Sequence, residues 1–322
     1  MTGAGQRLFI QEVGTRDGFQ IEARFIPTAD KIALIDTLSL CGLAKIEVTS
    51  FTSPKAIPAL ADADEVMRSL RRQPGVVYTA LVPNLRGAER AIAAGTDELN
   101  LVMSASETHN LLNLRMTREQ SLARLLEVVD LAQGAGVALN VSLSTSFGCP
   151  MEGVVPEDVV LGLAGRFLAA GVGGITLCDT TGMAHPGQVA SLCRAFRTRF
   201  PGAGATLHLH NTRGMGLANA LAGLGAGIDR FDASLGGLGG CPYAPGATGN
   251  ICTEDLVHML QAMGLALDVD LAGLLMAART LPGMVGHEVP GQVLRAGRSL
   301  DLHPVPASLE EIRARALAQT QA

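Results

Sequence analysis

His208 and His210 stand two apart in the run Leu207-His-Leu-His210. On a strand that spacing puts both imidazoles on one face. Two such rings can share a cation, although an isolated His-x-His is more often a pair of hydrogen-bonded core histidines. Asp17 offers a hard carboxylate and Asn250 a carbonyl oxygen. A nitrogen and oxygen set without thiolate suits Mg2+ or Mn2+, and less well Zn2+ or Co2+. Arg16 precedes Asp17. A guanidinium beside a metal can stabilise an enolate or bind a carboxylate, or simply pair with Glu47 or Asp179. Glu47 can in turn orient Arg16 or a water, and Asp179 can serve as a cap. The Gly-rich stretch Gly236–Gly249 fits a phosphate cradle, a mobile lid or a tight connection. The GxxxxGK[ST] pattern is absent, which disfavours a nucleoside triphosphate. Cys241, inside that stretch, can exchange a proton if the loop closes, or be incidental.

These residues need elements that bring them together. Eight short apolar, β-branched runs are expected as strands: Leu8–Gly14, Lys45–Thr49, Val76–Val82, Glu98–Ser104, Ala138–Ser144, Gly174–Asp179, Thr206–His210 and Arg230–Ser234. Helix signals lie between them. Thr28 opens one helix that stops by Gly42, and Asn84 caps another that ends at Gly95. Thr117-Arg-Glu-Gln has capping-box spacing, with a helix running to Gly134. Pro156 and Pro186 open two more, and Leu217–Leu224 and Thr253–Met263 complete the set. Eight alternating units predict a (β/α)8 TIM barrel over residues 1–264 rather than an open doubly wound sheet. Residues 265–322 read as a helical extension packed on the barrel, with helices near Leu271–Arg279 and Leu309–Ala318 and a loop at Gly286–Gly297. Barrel strands should be apolar. Their polar exceptions at the C-terminal ends are therefore expected to converge on one site.

Bulk composition narrows the class. Hydrophobic residues make up 48% of the 322 residues, but aromatics only 3%, so the core must be aliphatic. A net charge of -5 and the lack of a basic run argue against nucleic acid. No apolar run approaches the roughly 18 residues of a membrane span. The six cysteines are scattered without CxxC pairs, and a strand pattern begins by Leu8. Reduced thiols and a cytoplasmic enzyme are the expectation.

Here a resemblance enters. The run Glu12-Val-Gly-Thr-Arg-Asp-Gly-Phe-Gln20 resembles the first-strand motif of 3-hydroxy-3-methylglutaryl-CoA lyases, and Ile46-Glu-Val-Thr-Ser-Phe-Thr-Ser-Pro-Lys55 their second-strand segment. Leu207–His210 is similar to their metal-binding strand, and Leu238–Asn250 to their signature loop. The likeness spans roughly residues 8–275. It implies a (β/α)8 lyase acting on an acyl-CoA, with Asp17, His208, His210 and Asn250 holding a divalent cation. It further implies that Arg16 meets the thioester enolate, Cys241 is the acid/base on the loop, and Glu47 and Asp179 support them. Gln20 would lie near the substrate. The implied reaction is a retro-Claisen cleavage, with Asp17 or a bound water taking the hydroxyl proton. A homodimer or larger homo-oligomer is the implied assembly. The sequence departs from the better-known members at Thr15, Phe19 and Ile21, and at Asn211-Thr-Arg-Gly214, where Asp-Thr-Tyr-Gly is usual. Arg213 thus adds a cation suited to a carboxylate or a coenzyme phosphate. A citramalyl-CoA or longer-chain lyase, a condensing synthase and a non-catalytic acyl-CoA sensor are the rival readings.

Overall fold

The computed structural model describes residues 7–240, 249–265 and 267–319. Eight parallel strands close into a barrel in sequence order: β1 (Phe9–Glu12), β2 (Lys45–Ser50), β3 (Val77–Val82), β4 (Glu98–Ser104), β5 (Ala138–Ser144), β6 (Gly174–Asp179), β7 (Gly204–Leu209) and β8 (Arg230–Ala233). The expected TIM barrel is therefore present. The expected and observed bounds of β4, β5 and β6 coincide. β1 is shorter than expected, because Gly14–Gly18 coils into one wide helical turn at its end.

The helices outside the barrel are α1 (Thr28–Ser39), α2 (Ala63–Ser69), α3 (Leu85–Ala93), α4 (Glu107–Leu114), α5 (Arg118–Gly134), α6 (Glu157–Ala169), α7 (Pro186–Arg199), α8 (Gly216–Gly225) and α9 (Thr253–Ala262). The expected caps are in place. Asn84 accepts the Gly87 amide at 3.0 Å, and Thr117 and Gln120 close a reciprocal capping box. α2, for which the sequence offered no bounds, packs on β2 and α1, and α4 is a short helix after β4 that the sequence did not signal.

Beyond the barrel, α10 (Leu271–Ala278) packs on α1 and α9. Next come α11 (Leu281–Val285), α12 (Gln292–Ala296) and α13 (Leu309–Gln319). The loop expected at Gly286–Gly297 contains α12. Five residues are too few to show a period. What holds α12 is the Asp255 carboxylate of α9, which accepts its first two amides at 2.9 and 2.7 Å. α13 buries no residue, unlike α10.

Strand alternation divides the barrel into two chemistries. Outward residues such as Leu99, Leu101, Val141, Leu143, Ile175 and Leu177 are fully buried beneath the helices. Each contributes about 1.5–3 kcal/mol of apolar burial. Their inward neighbours are polar, which the apolar strand expectation did not anticipate. Asn100, Asn140, Ser142 and Thr176 hydrogen-bond to one another across β4, β5 and β6 at 2.9 Å. Lys45 and Glu98 pair lower in the lumen. No helix among the described residues is long and apolar enough to cross a membrane.

Candidate active site

The turn after β1 carries Arg16 and Asp17 to the C-terminal mouth. It is drawn tight by Asp17 N–H donating to the Val13 carbonyl at 2.7 Å. Only glycine fits at Gly14, where a Cβ would meet Glu12 Oε1 at 2.7 Å and Ser234 Oγ at 2.9 Å. Glu12 ties the mouth together. Its carboxylate accepts from Gly14 N–H, Leu235 N–H and Thr253 Oγ at 2.7–2.8 Å. Burial pushes this carboxyl up to about 7, against the pull of those bonds.

Arg16 is gripped from two sides. Its Nε donates to Glu47 Oε2 at 2.5 Å and its Nη1 to Asp17 Oδ1 at 2.6 Å. Burial disfavours the charged guanidinium, but Glu47 and Asp17 more than restore it, so it stays protonated. Asp17 Oδ1 also accepts from Gln20 Nε2 at 2.8 Å. Burial alone would raise the Asp17 carboxyl, yet the Arg16 charge and the two histidines bring it down to about 2. Burial likewise raises Glu47, and Arg16 opposes it.

His208 and His210 meet Asp17 at one buried point. His208 Nε2 lies 3.3 Å from His210 Nε2 and 3.9 Å from Asp17 Oδ2. Both gaps fall inside the roughly 4.2 Å that separates opposite ligands of a Mg2+-sized ion with bonds near 2.1 Å. Asn250 is brought alongside by backbone pairing, because residue 250 bridges to His210 at the end of β7. Its Nδ2 donates to Asp17 Oδ2 at 2.7 Å and to the Leu238 carbonyl at 3.1 Å. Its Oδ1 is buried without a hydrogen-bond partner among the described residues. A buried carbonyl oxygen with nothing to accept costs about 1–3 kcal/mol. A cation relieves that cost, so the donor set fits a metal.

Asp232, which no motif in the sequence singles out, accepts from His208 Nδ1 at 3.2 Å. With Nδ1 so engaged, Nε2 is the nitrogen turned toward His210 and Asp17. The same bond counters burial and raises the His208 pKa. The signal was an acidic residue inside a barrel strand: Asp232 lies on β8, in register with His208 of β7. Asp232→Asn should weaken Mn2+ binding about 10–100-fold. An unchanged affinity by calorimetric titration would show that Asp232 does not orient the ligand.

Arg16, Asp17, Gln20, His208 and His210 line a cavity of about 360 Å³. Glu47 stands behind Arg16. Asp179 caps the loop after β6, its Oδ1 accepting from Met183 and Ala184 amides at 2.8 and 3.1 Å. Burial, opposed by those amides, lifts its carboxyl to about 6. Arg213 is exposed and turned aside: its Nη1 donates to the Thr181 and Gly182 carbonyls at 3.1 and 2.8 Å, and it is absent from the cavity wall. Cys241 lies outside the described residues. The wall also includes His109, Asn113 and Cys178. The first two sit on α4, the helix that the sequence did not disclose.

The HMGL-like family profile matches residues 7–281. Hydroxymethylglutaryl-CoA lyase YngG of Bacillus subtilis is 46% identical over 294 residues, covering 91% of this chain and 98% of the relative. (R)-citramalyl-CoA lyase of Chloroflexus aurantiacus is 40% identical over 298 residues, or 89% and 94% of the two chains. The structure of an HMG-CoA lyase from Acinetobacter baumannii, in complex with coenzyme A and 3-methylmalate, superposes with a TM-score of 0.91 at 50% identity, covering 95% of this chain and 100% of that one.

Proposed function

The chain belongs to the HMGL-like family, and from that premise we propose that it cleaves 3-hydroxy-3-methylglutaryl-CoA to acetyl-CoA and acetoacetate. The observation that carries this reading is the meeting of Asp17, His208 and His210 beside the charged Arg16 in one cavity, with Asn250 hydrogen-bonded to Asp17. Those four side chains would hold a divalent cation, and their donor types suit Mg2+ or Mn2+. Such an ion, when bound, supplies Lewis acidity to the substrate's oxygen atoms.

The chain's own residues do the rest. The C3 hydroxyl proton goes to Asp17 or a bound water, the oxygen's electron pair forms the ketone, and the C2–C3 electron pair moves onto the thioester oxygen as the bond breaks. Arg16 is the group that donates to that thioester oxygen, and Glu47 and Asp17 fix the guanidinium beforehand, so little reorganisation is needed. The carbanion carbon must then gain a proton. We assign that step to Cys241 on its match to the family's loop motif. Gln20 and Asp179 support the site, Gln20 through its bond to Asp17. Ile21, Ile57, Leu81 and Val102 give the cavity an apolar stretch of wall. Residues 1–264 form the catalytic unit and 265–322 an extension of it. The five described cysteines are all free thiols, in keeping with the cytoplasm.

The test is direct. With Mn2+ and a panel of 3-hydroxyacyl-CoAs, mass spectrometry should find acetyl-CoA and acetoacetate from 3-hydroxy-3-methylglutaryl-CoA. Cys241→Ala should bind the same substrate but turn over about 100-fold or more slowly. Cleavage of citramalyl-CoA alone would move the assignment to that substrate, and no cleavage of any thioester would end it.

A further inference from the structure

The mouth of the barrel shows what Arg16 does, and the lumen beneath shows what holds Arg16 there. Glu47 uses its two oxygens differently. Oε2 takes the Arg16 guanidinium, while Oε1 accepts from Asn100 Nδ2 at 2.7 Å. A carboxylate only accepts, so the Asn100 amino group must face it. The Asn100 carbonyl then faces β5, where Asn140 Nδ2 and Ser142 Oγ each donate to it at 2.9 Å. Asn140 is itself braced by Thr176 of β6 at 2.9 Å. Asn100 is 6% exposed, and its amide is held at both ends. The amide plane is therefore fixed by three strands before it reaches Glu47.

We propose that Asn100 is a positioning residue for the lyase reaction, holding Glu47 so that Arg16 is aimed at the developing enolate oxygen. The inference rests on the function assigned above to Arg16. Asn100 touches neither substrate nor metal ligand. It acts through one intermediary, across the lumen from the mouth.

The alternative is that Asn100 merely fills a polar lumen. The distinction lies in what Glu47 does when Asn100 is gone. Burial pushes the Glu47 carboxyl up, Arg16 and Asn100 hold it down, and Asp232 of β8 adds repulsion. Lys45, Glu98 and Glu12 line the same narrow void of about 10 Å³ below it. Without the Asn100 amide, Oε1 is a buried acceptor with no donor from β4. The carboxylate is then free to turn or to take a proton, and either change releases the Arg16 side chain from its aim. Asp17 keeps its bonds from Gln20 and Asn250, and His208 its bond to Asp232, so metal binding should be held independently of the Arg16 aim.

Two variants of the full chain test this with 3-hydroxy-3-methylglutaryl-CoA and Mn2+. Asn100→Leu should lower kcat about 10–100-fold, somewhat less than outright loss of a charge-stabilising donor. KM should stay within about threefold and Mn2+ affinity should not change. Asn100→Asp is nearly isosteric, and its carboxyl donates to Glu47 only while protonated. Its kcat should approach the wild-type value at low pH and fall as the introduced carboxyl ionises. The wild type should lack that descending limb. If Asn100→Leu does not fold, the pH profile of Asn100→Asp decides alone. Wild-type kcat in Asn100→Leu, a wild-type pH profile in Asn100→Asp, or loss of Mn2+ affinity in step with kcat would each overturn the proposal. A wild-type protein that cleaves no thioester would instead overturn the function itself.

Discussion

Arg16→Met should leave a protein that still takes up Mn2+ but turns over about a thousandfold more slowly. Removing one donor aimed at developing charge costs roughly 100- to 1,000-fold in kcat, and Arg16 also loses its full charge in this exchange. The variant should be less stable as well. Glu47, 2% exposed, is left with Asn100 alone as its partner. Breaking a buried ion pair by removing one side costs about 3–5 kcal/mol, and protonation of Glu47 recovers part of it. Adding Glu47→Gln to Arg16→Met removes the orphaned charge. The double variant should regain stability in thermal denaturation and regain no activity. If turnover returned with stability, Arg16 would be a structural ion-pair partner only.

His210→Ala should abolish the response to metal. Mn2+ at about 100 times its dissociation constant should stabilise the wild type by about 2.7 kcal/mol, because it binds the folded state and not the unfolded one. The variant should show no thermal shift at the same concentration, and no turnover. His210 and Asn250 belong to a single backbone bridge, so the fold should survive the loss of the imidazole. A full metal-dependent shift in His210→Ala would remove it from the ligand set.

Much of this architecture was legible in the sequence. Glu98–Ser104, Ala138–Ser144 and Gly174–Asp179 are apolar runs bounded by turn residues, and their strand limits emerged unchanged. The His-x-His pair and the Arg16-Asp17 pair converge because all the strands run the same way and end at one face. Two kinds of information were not legible. One is what a side chain does after its strand ends. Arg213, three residues past His210, reads as a cation for the ligand, but that its guanidinium donates to two carbonyls of the β6 loop could not be read from the sequence. The other is contact between strands. Asp232 and Asn100 look like ordinary strand interruptions. Their importance comes from His208 and Glu47, which are 24 and 53 positions away. α12 is a third case, a helix whose stabilising carboxylate belongs to α9.

The two faces of the strands carry separate burdens. Leu99 and Leu101 secure the fold against the helices, while Asn100 between them faces the chemistry. Neighbouring residues on one strand thus serve different physical ends. Substitutions on the inner face can retune catalysis with little effect on the aliphatic layer, and repacking of the outer layer can drift without disturbing the reaction. A barrel arranged in this way is free to diverge in substrate while its scaffold stays the same.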